Sequence, residues 1–202
     1  MENKDITTEE KILQAAETVF IEKGMDGARM QEIADKAGIN KALLHYYYRS
    51  KEKLFEMVFE MAIKLLFPEI LKIINKDIPL FEKIRLFTSS YIDFILKHPH
   101  IPTFILHELN NNPDHLAKHL SKLNLKNSLI VGQIQREVEA GLIRPTTAEH
   151  LMINIVSLCV FPIIAKPIIK PVFFENNNES YLNFIEERKT LVSNFVINSI
   201  RI

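Results

Sequence analysis

From Thr7 onward the apolar residues recur at three- and four-residue spacing, and only five glycines interrupt them in 202 residues. No stretch alternates apolar and polar residues between hairpin turns, so nothing in the pattern asks for a β-sheet. The chain is therefore read as all-α, with about nine helices: three short ones in front and a larger bundle behind.

The helix ends are written in local signals. Thr7 with Glu10 three residues later is a capping box, and Gly24 stands where the first helix should stop. "MQEIADKA" is a short second helix ended by Gly38, and Asn40 caps a third, "KALLHYYY". Ser50 opens a fourth, which Pro68 is expected to interrupt or kink. Further on, the pattern predicts a helix from Leu80, a short piece at "TFILHEL", and one helix from about His115 to Ala140. An apolar helix capped by Thr146 or Thr147 and a last helix after "ENNNES" complete the series.

The segment Leu151–Ala165 is apolar apart from Asn154 and Ser157. It is shorter than the ~20 residues needed to cross a bilayer, and Pro162, Pro167 and Pro171 follow or interrupt it. A helix apolar on nearly every side belongs inside a large helical bundle or its dimer interface. The start, "MENKDITTEE", lacks the basic residues and apolar run of an export signal, and the lone Cys159 excludes a disulfide framework. A cytoplasmic protein with no membrane partner is expected.

Gly38, Ile39 and Asn40 leave a three-residue turn between two short helices, the helix-turn-helix arrangement in which the second helix enters the major groove. Leu44 and Tyr48 share one face and form a small core with Phe20, Ile33 and Ala34. Lys41, Ala42 and His45 lie on the other side, flanked by Tyr46. With 25 basic and 25 acidic residues the chain has no general affinity for polyanions, so local charge has to supply it. Residues 1–35 hold four basic against nine acidic side chains, whereas residues 36–53 hold five basic against Glu52 alone. Cations gather where phosphate contacts are needed. A solvated basic helix end beside a packed aromatic core accounts for the same residues and stays open at this point.

"GMDGARMQEIADKAGINKALLHYYYRSKEKLF" resembles the DNA-binding domain of TetR-type transcriptional regulators. Ile33-Ala34, Ala37-Gly38-Ile39-Asn40, Leu44, Tyr47-Tyr48 and Ser50-Lys51-Glu52-Lys53-Leu54 fall at the family's spacing, over about residues 8–60. Arg29 stands where the family has a Ser or Thr cap, and Leu43, His45 and Tyr48 also depart from the common pattern. The resemblance implies a DNA-binding domain at 1–50 and a helical ligand-binding and dimerisation domain at 51–202. It implies a repressor that binds a palindromic operator as a homodimer, through its last two helices, and is released by a small apolar or amphipathic effector.

By position, Lys51 corresponds to a phosphate-binding lysine, Tyr46 and Tyr47 to backbone or base-edge contacts, and Lys41, Ala42, Leu43 and His45 to the base-reading set. Arg29 is placed to reach phosphate from the start of the second helix. Polar groups on apolar faces are the effector candidates: Tyr91, His107, Gln133, Asn154 and Ser157, with Phe87 and Phe104 as walls.

Two other chemistries are weighed. His115 and His119 lie four apart on a helix, a workable metal geometry, but no third ligand accompanies them. His107-Glu108 falls short of a His-Glu-x-x-His motif because Asn111 occupies the last position, and no phosphate loop or nucleophile elbow is present. No enzyme activity, cofactor or metal is expected. The rival readings are a helical small-molecule-binding protein without DNA affinity and a regulator that needs no ligand.

Overall fold

The computed structural model describes residues 7–202, the His100 side chain excepted. Its helices are α1 (Thr8–Gly27), α2 (Met30–Ala37), α3 (Lys41–Tyr47), α4 (Lys51–Ile74), α5 (Leu80–Lys97), α6 (His100–Asn111), α7 (Pro113–Ser121), α8 (Leu129–Glu139), α9 (Ala148–Ile164), α10 (Lys166–Phe174) and α11 (Asn178–Ile200). A 3-10 turn, Leu125–Asn127, lies between α7 and α8. The all-α class stands, and the described residues hold no strand.

Among the described residues the count is eleven rather than about nine, and two places account for the difference. The single helix expected from His115 to Ala140 is broken between Ser121 and Leu129. Asn124 adopts the left-handed conformation there, and Ser128 is extended. Short polar side chains supply the competing hydrogen bonds: Asn127 Nδ2 donates to Asn124 Oδ1 at 2.6 Å, and Ser128 Oγ donates to the Leu125 carbonyl at 2.6 Å. The second place is α10, which forms across a proline-rich stretch. Pro167 lies in its first turn, where a missing N–H costs nothing.

Two compact units divide the chain, one of residues 1–65 with 103–111, the other of residues 66–102 with 112–202. The division falls inside α4 and α6 rather than at the 50/51 boundary.

In the first unit, the Thr7 capping box is formed: Thr7 Oγ1 accepts from the Glu10 N–H at 3.2 Å, and the Glu10 carboxylate accepts from the Thr7 N–H at 2.8 Å. Ile12, Ala15, Ala16, Val19 and Phe20 make the buried stripe of α1. Gly24 interrupts the helix at φ +68°, as expected for a stop, and one further turn runs to Gly27. Phe20 packs edge-on against Phe55 of α4, with ring centroids 5.1 Å apart.

In the second unit, α5, α8, α9 and α11 enclose a core of Ile84, Phe87, Ile134, Leu151, Ile155, Ile185 and Val196, among others. Pro162 inside α9 has no N–H for the Leu158 carbonyl one turn back. Arg188 of α11 fills that gap, its Nη2 donating to Leu158 O at 2.7 Å, and the Tyr181 hydroxyl donates to Pro162 O at 3.1 Å. The neighbouring helix thus supplies the donors that keep a proline-containing helix continuous. Burial pushes the Cys159 thiol up to about 12, partly offset by Arg188, which leaves it an inert core residue.

Lys83 is 1% exposed. Its ammonium donates to Gln133 Oε1 at 2.7 Å and to the Ile74 carbonyl at 3.4 Å, while Gln133 Nε2 donates to Ile78 O at 3.1 Å and Glu137 Oε1 at 2.9 Å. Burial lowers the Lys83 pKa, with Asp77 and Glu137 acting against it. Breaking such a network from one side strands a buried charge, whereas replacing the charge by an apolar group of similar size does not. Gln133→Leu should therefore lower stability by ~2–4 kcal/mol, and Lys83→Met by clearly less. Chemical denaturation of the two variants measures the difference, and equal losses would show that the network carries no special weight.

Candidate nucleic-acid interface

The site is built on the turn between α2 and α3. Gly38 closes α2 in the left-handed region at φ +69°, where a Cβ would be strained, and its N–H reaches Ala34 O and Asp35 O. Ile39 N–H adds a second bond to Ala34 O at 3.0 Å. Asn40 then accepts the Leu43 N–H on its side-chain oxygen at 2.8 Å, which starts α3. Three residues redirect the chain, and each backbone donor named has its acceptor.

The aromatic cluster divides by face. Leu44 is fully buried, and Tyr48 is buried with its hydroxyl donating to Glu9 at 3.1 Å. Burial, then the hydrogen bond and charge of Glu9, push the Tyr48 phenol up to about 12. These two inward residues fix the rotation of α3. Lys41, Ala42, His45, Tyr46 and Tyr47 are consequently exposed, Tyr46 at 81%, and Leu43 sits at the margin at 36%. Tyr46 and Tyr47 meet edge to face, with centroids 5.7 Å apart.

Salt bridges sort the surrounding cations. Lys23 pairs with Glu32 at 2.9 Å and Lys36 with Glu22 at 3.2 Å, tying α1 to α2. Arg29, Lys41, Arg49 and Lys53 are exposed, and the Lys23 hydrogen bond, aided by the charge of nearby Arg29, holds the Glu32 carboxyl below its usual range. Arg49, counted among the basic residues, and Lys53, part of the family motif, have no DNA-contact role by position, and their exposure puts them beside the others as candidates. Arg29 is the N-cap residue of α2, and its exposed guanidinium, a donor only, makes no cap bond.

Lys51 has a task the sequence did not reveal. Its ammonium donates to Asp26 O and Ala28 O, each at 3.3 Å, holding the end of α1. An exposed basic face, a reading helix and a capped three-residue turn define a helix-turn-helix DNA-binding module.

The effector candidates do not form one site. Phe87 and Tyr91 line a narrow apolar crevice with Leu66, Ile70, Ile73 and Phe94, edged by Glu69 and Ser90. Burial raises the Tyr91 phenol well above its ordinary range, so it is present as an O–H donor. Phe104 lies in the first unit against Phe55 and Phe59, with centroids 5.1 and 5.9 Å away. His107 is also there, accepting the Met25 N–H at 3.3 Å. Gln133 is committed to Lys83, while Asn154 and Ser157 are exposed on α9. As for a metal, the His115 and His119 rings stack edge-on at 4.5 Å, His119 Nδ1 lies 3.0 Å from the His115 carbonyl, and no third ligand joins them among the described residues.

The model of bacterial regulatory proteins of the tetR family matches residues 12–58, and the tetracyclin repressor-like C-terminal domain matches residues 81–193. The chain belongs to the TetR family of DNA-binding transcriptional regulators. It is 29% identical over 160 residues to the HTH-type transcriptional repressor NicS of Pseudomonas putida, covering 76% of this chain and 74% of that one. It is also 29% identical over 108 residues to IcaR, the negative transcriptional regulator of the Staphylococcus aureus biofilm operon icaADBC. That match covers 54% of this chain and 56% of that one. A TetR-family regulator from Marinobacter aquaeolei VT8 shares the fold with a TM-score of 0.70 at 19% identity, over 100% of this chain and 99% of the other.

Lys41→Ala and His45→Ala, both exposed, should leave the melting temperature unchanged. Each should cost ~1–3 kcal/mol in binding the preferred duplex and relax the preference at one or two base positions. Lys51→Ala should weaken all duplexes about equally, lower the salt slope by about one, and lower the melting temperature as well, because it also releases Asp26 and Ala28. Anisotropy titrations across salt concentrations separate these outcomes. A Lys51→Ala protein with an unchanged salt slope would leave Lys51 a purely structural residue.

Proposed function

We propose that this regulator is a repressor that binds a palindromic operator as a homodimer and is released when a small apolar molecule enters the second unit. The observation that carries the DNA half is the exposed α3 face, Lys41, Ala42, His45 and Tyr46, held outward by buried Leu44 and Tyr48. Arg29, Arg49, Lys51 and Lys53 are assigned to phosphates, Tyr46 and Tyr47 to backbone or base edges, and Leu43 to a thymine methyl group. The repressor sign is carried over from NicS and IcaR, and the cytoplasmic location from the need to meet DNA.

Dimerisation is assigned to α9 and α11. Ile153 and Phe161 are 64% and 66% exposed on α9, and Leu182, Leu191 and Phe195 are 42%, 58% and 67% exposed on α11. A twofold mate covers such surface and would set two reading helices one DNA turn apart, ~34–36 Å. Asn154 and Ser157 share the exposed face of α9 with Ile153 and Phe161, which favours the dimer contact over the effector site for both. Among the described residues no single helix is long and apolar enough to cross a membrane. α9 and α10 satisfy the composition only together, across a 71° bend.

The effector is assigned to the crevice at Phe87 and Tyr91. Its cavity volume of ≈ 10 Å³ is barely that of one water and far below the ~300–1,000 Å³ of drug-sized sites, so the crevice is closed as it stands. Any ligand, even a small apolar molecule with one hydrogen-bond acceptor for Tyr91, has to part α4 from α5 to enter. A ligand shifts operator affinity only through its differential affinity for two states, typically ~1–3 kcal/mol.

Phe161→Glu and Phe195→Glu should convert the protein to a monomer by light scattering and abolish tight operator binding. Tyr91→Trp should overfill the crevice and wedge α4 from α5, altering operator affinity while the dimer persists. Stable dimers in both glutamate variants would move the interface elsewhere, and a Tyr91→Trp protein that binds DNA like the parent would remove the crevice from the switch.

A further inference from the structure

α6 lies within the C-terminal domain match, which begins at residue 81, yet residues 103–111 fold as part of the unit that carries the helix-turn-helix. What anchors them there is a fitted pair. Gly24 breaks α1 with φ +68° and ψ 176°, a conformation open almost only to glycine. The space where its side chain would be is occupied by the His107 imidazole. A Cβ on Gly24 would come within 2.2 Å of His107 Cε1 and 2.4 Å of Nε2.

The break also redirects the next peptide. Met25 N–H points away from the α1 ladder and donates to His107 Nε2 at 3.3 Å. The bond requires a lone pair on Nε2. One turn further along α6, Asn111 Nδ2 donates to the His107 carbonyl at 2.9 Å and lies 3.1 Å from Nε2. One turn back, Phe104 is set among Phe55 and Phe59. The ring is thus flanked within α6 by Asn111 on one side and the Phe104 cluster on the other.

Lys51 grips the same joint from α4 by donating to Asp26 O and Ala28 O. The segment from Gly24 to Ala28 is held at its amide end by His107 and at its carbonyls by Lys51. The next residue is Arg29, the N-cap of α2. The start of α2 fixes where the turn falls and so where α3 is presented.

We infer that His107 is a positioning residue for DNA recognition: seated in the Gly24 notch, it holds the α1–α2 joint in the conformation that presents the reading helix. It touches neither DNA nor effector, and the inference rests on α3 being the DNA reader. Without the acceptor the joint samples other conformations, and apparent operator affinity falls by the fraction of molecules that leave the competent one.

Three variants of the full chain test this. His107→Ala empties the notch, His107→Phe keeps a ring but no acceptor, and His107→Gln keeps an acceptor. The readouts are site-resolved hydrogen exchange at the Met25 amide and binding to the duplex that the parent prefers. His107→Ala and His107→Phe should lose Met25 protection and bind about fivefold more weakly, the worth of one hydrogen bond, with unchanged sequence preference and salt slope. His107→Gln should retain both protection and affinity. If His107→Ala fails to fold, the Phe and Gln pair decides alone. Parent-like DNA binding by His107→Phe with Met25 unprotected overturns the inference, as does a Gln variant as weak as the Phe one. A parent that binds no duplex overturns the DNA-reading assignment itself, a result visible before any variant is made.

Discussion

Everything the first unit presents depends on the three residues Gly38, Ile39 and Asn40. The left-handed Gly38 lets α2 end with its carbonyls satisfied, and Asn40 supplies the acceptor for an α3 N–H that has no intrahelical partner. A Cβ at Gly38 meets nothing within 4 Å, so the requirement there is conformational and not steric. Loss of the Asn40 side-chain oxygen would cost ~1 kcal/mol, a large fraction of what a seven-residue helix can lose. Leu44 and Tyr48 then convert a correctly started helix into a correctly rotated one. Exposure of Lys41, His45 and Tyr46 is the consequence.

The two units solve proline and charge problems by the same device, a donor or acceptor from another helix. Arg188 replaces the N–H that Pro162 lacks, Gln133 receives the ammonium of Lys83, and His107 takes the Met25 N–H left over at a glycine break. Each removes a buried polar group that would otherwise cost ~1–3 kcal/mol. Each also ties together elements distant in sequence. Side chains that look like candidates for ligand contact are spent in this way on architecture.

That explains which parts of the protein could be read from its sequence. The capping box at Thr7 and the turn at Gly38 and Asn40 are legible because their partners lie within four residues. The stop at Gly24 is legible from the residue type, and the inward pair Leu44 and Tyr48 because four-residue spacing puts them on one helix face. The family pattern around Ile33-Ala34 and Ser50–Leu54 is equally local, and it gave the DNA-binding class. The structural bonds of His107 and Gln133 are not legible because their partners are 82 and 50 residues away. Asn154 and Ser157 were assigned inward because α9 is apolar on nearly every side, so its periodicity has no phase from which to tell an outer face. The break at Asn124 was hidden for a different reason: a hydrophobic rhythm continues across it, and only the local polar bonds decide against a helix.

The central claim is that the α3 face reads base pairs of a twofold-symmetric site. Passing the purified protein over a pool of random duplexes and sequencing those retained tests it most directly. The account predicts an inverted repeat whose half-site centres lie about one helical turn, ~10 base pairs, apart, and its loss when His45 is replaced by alanine. Retention of duplexes without a shared motif, or of none at physiological salt, would contradict it.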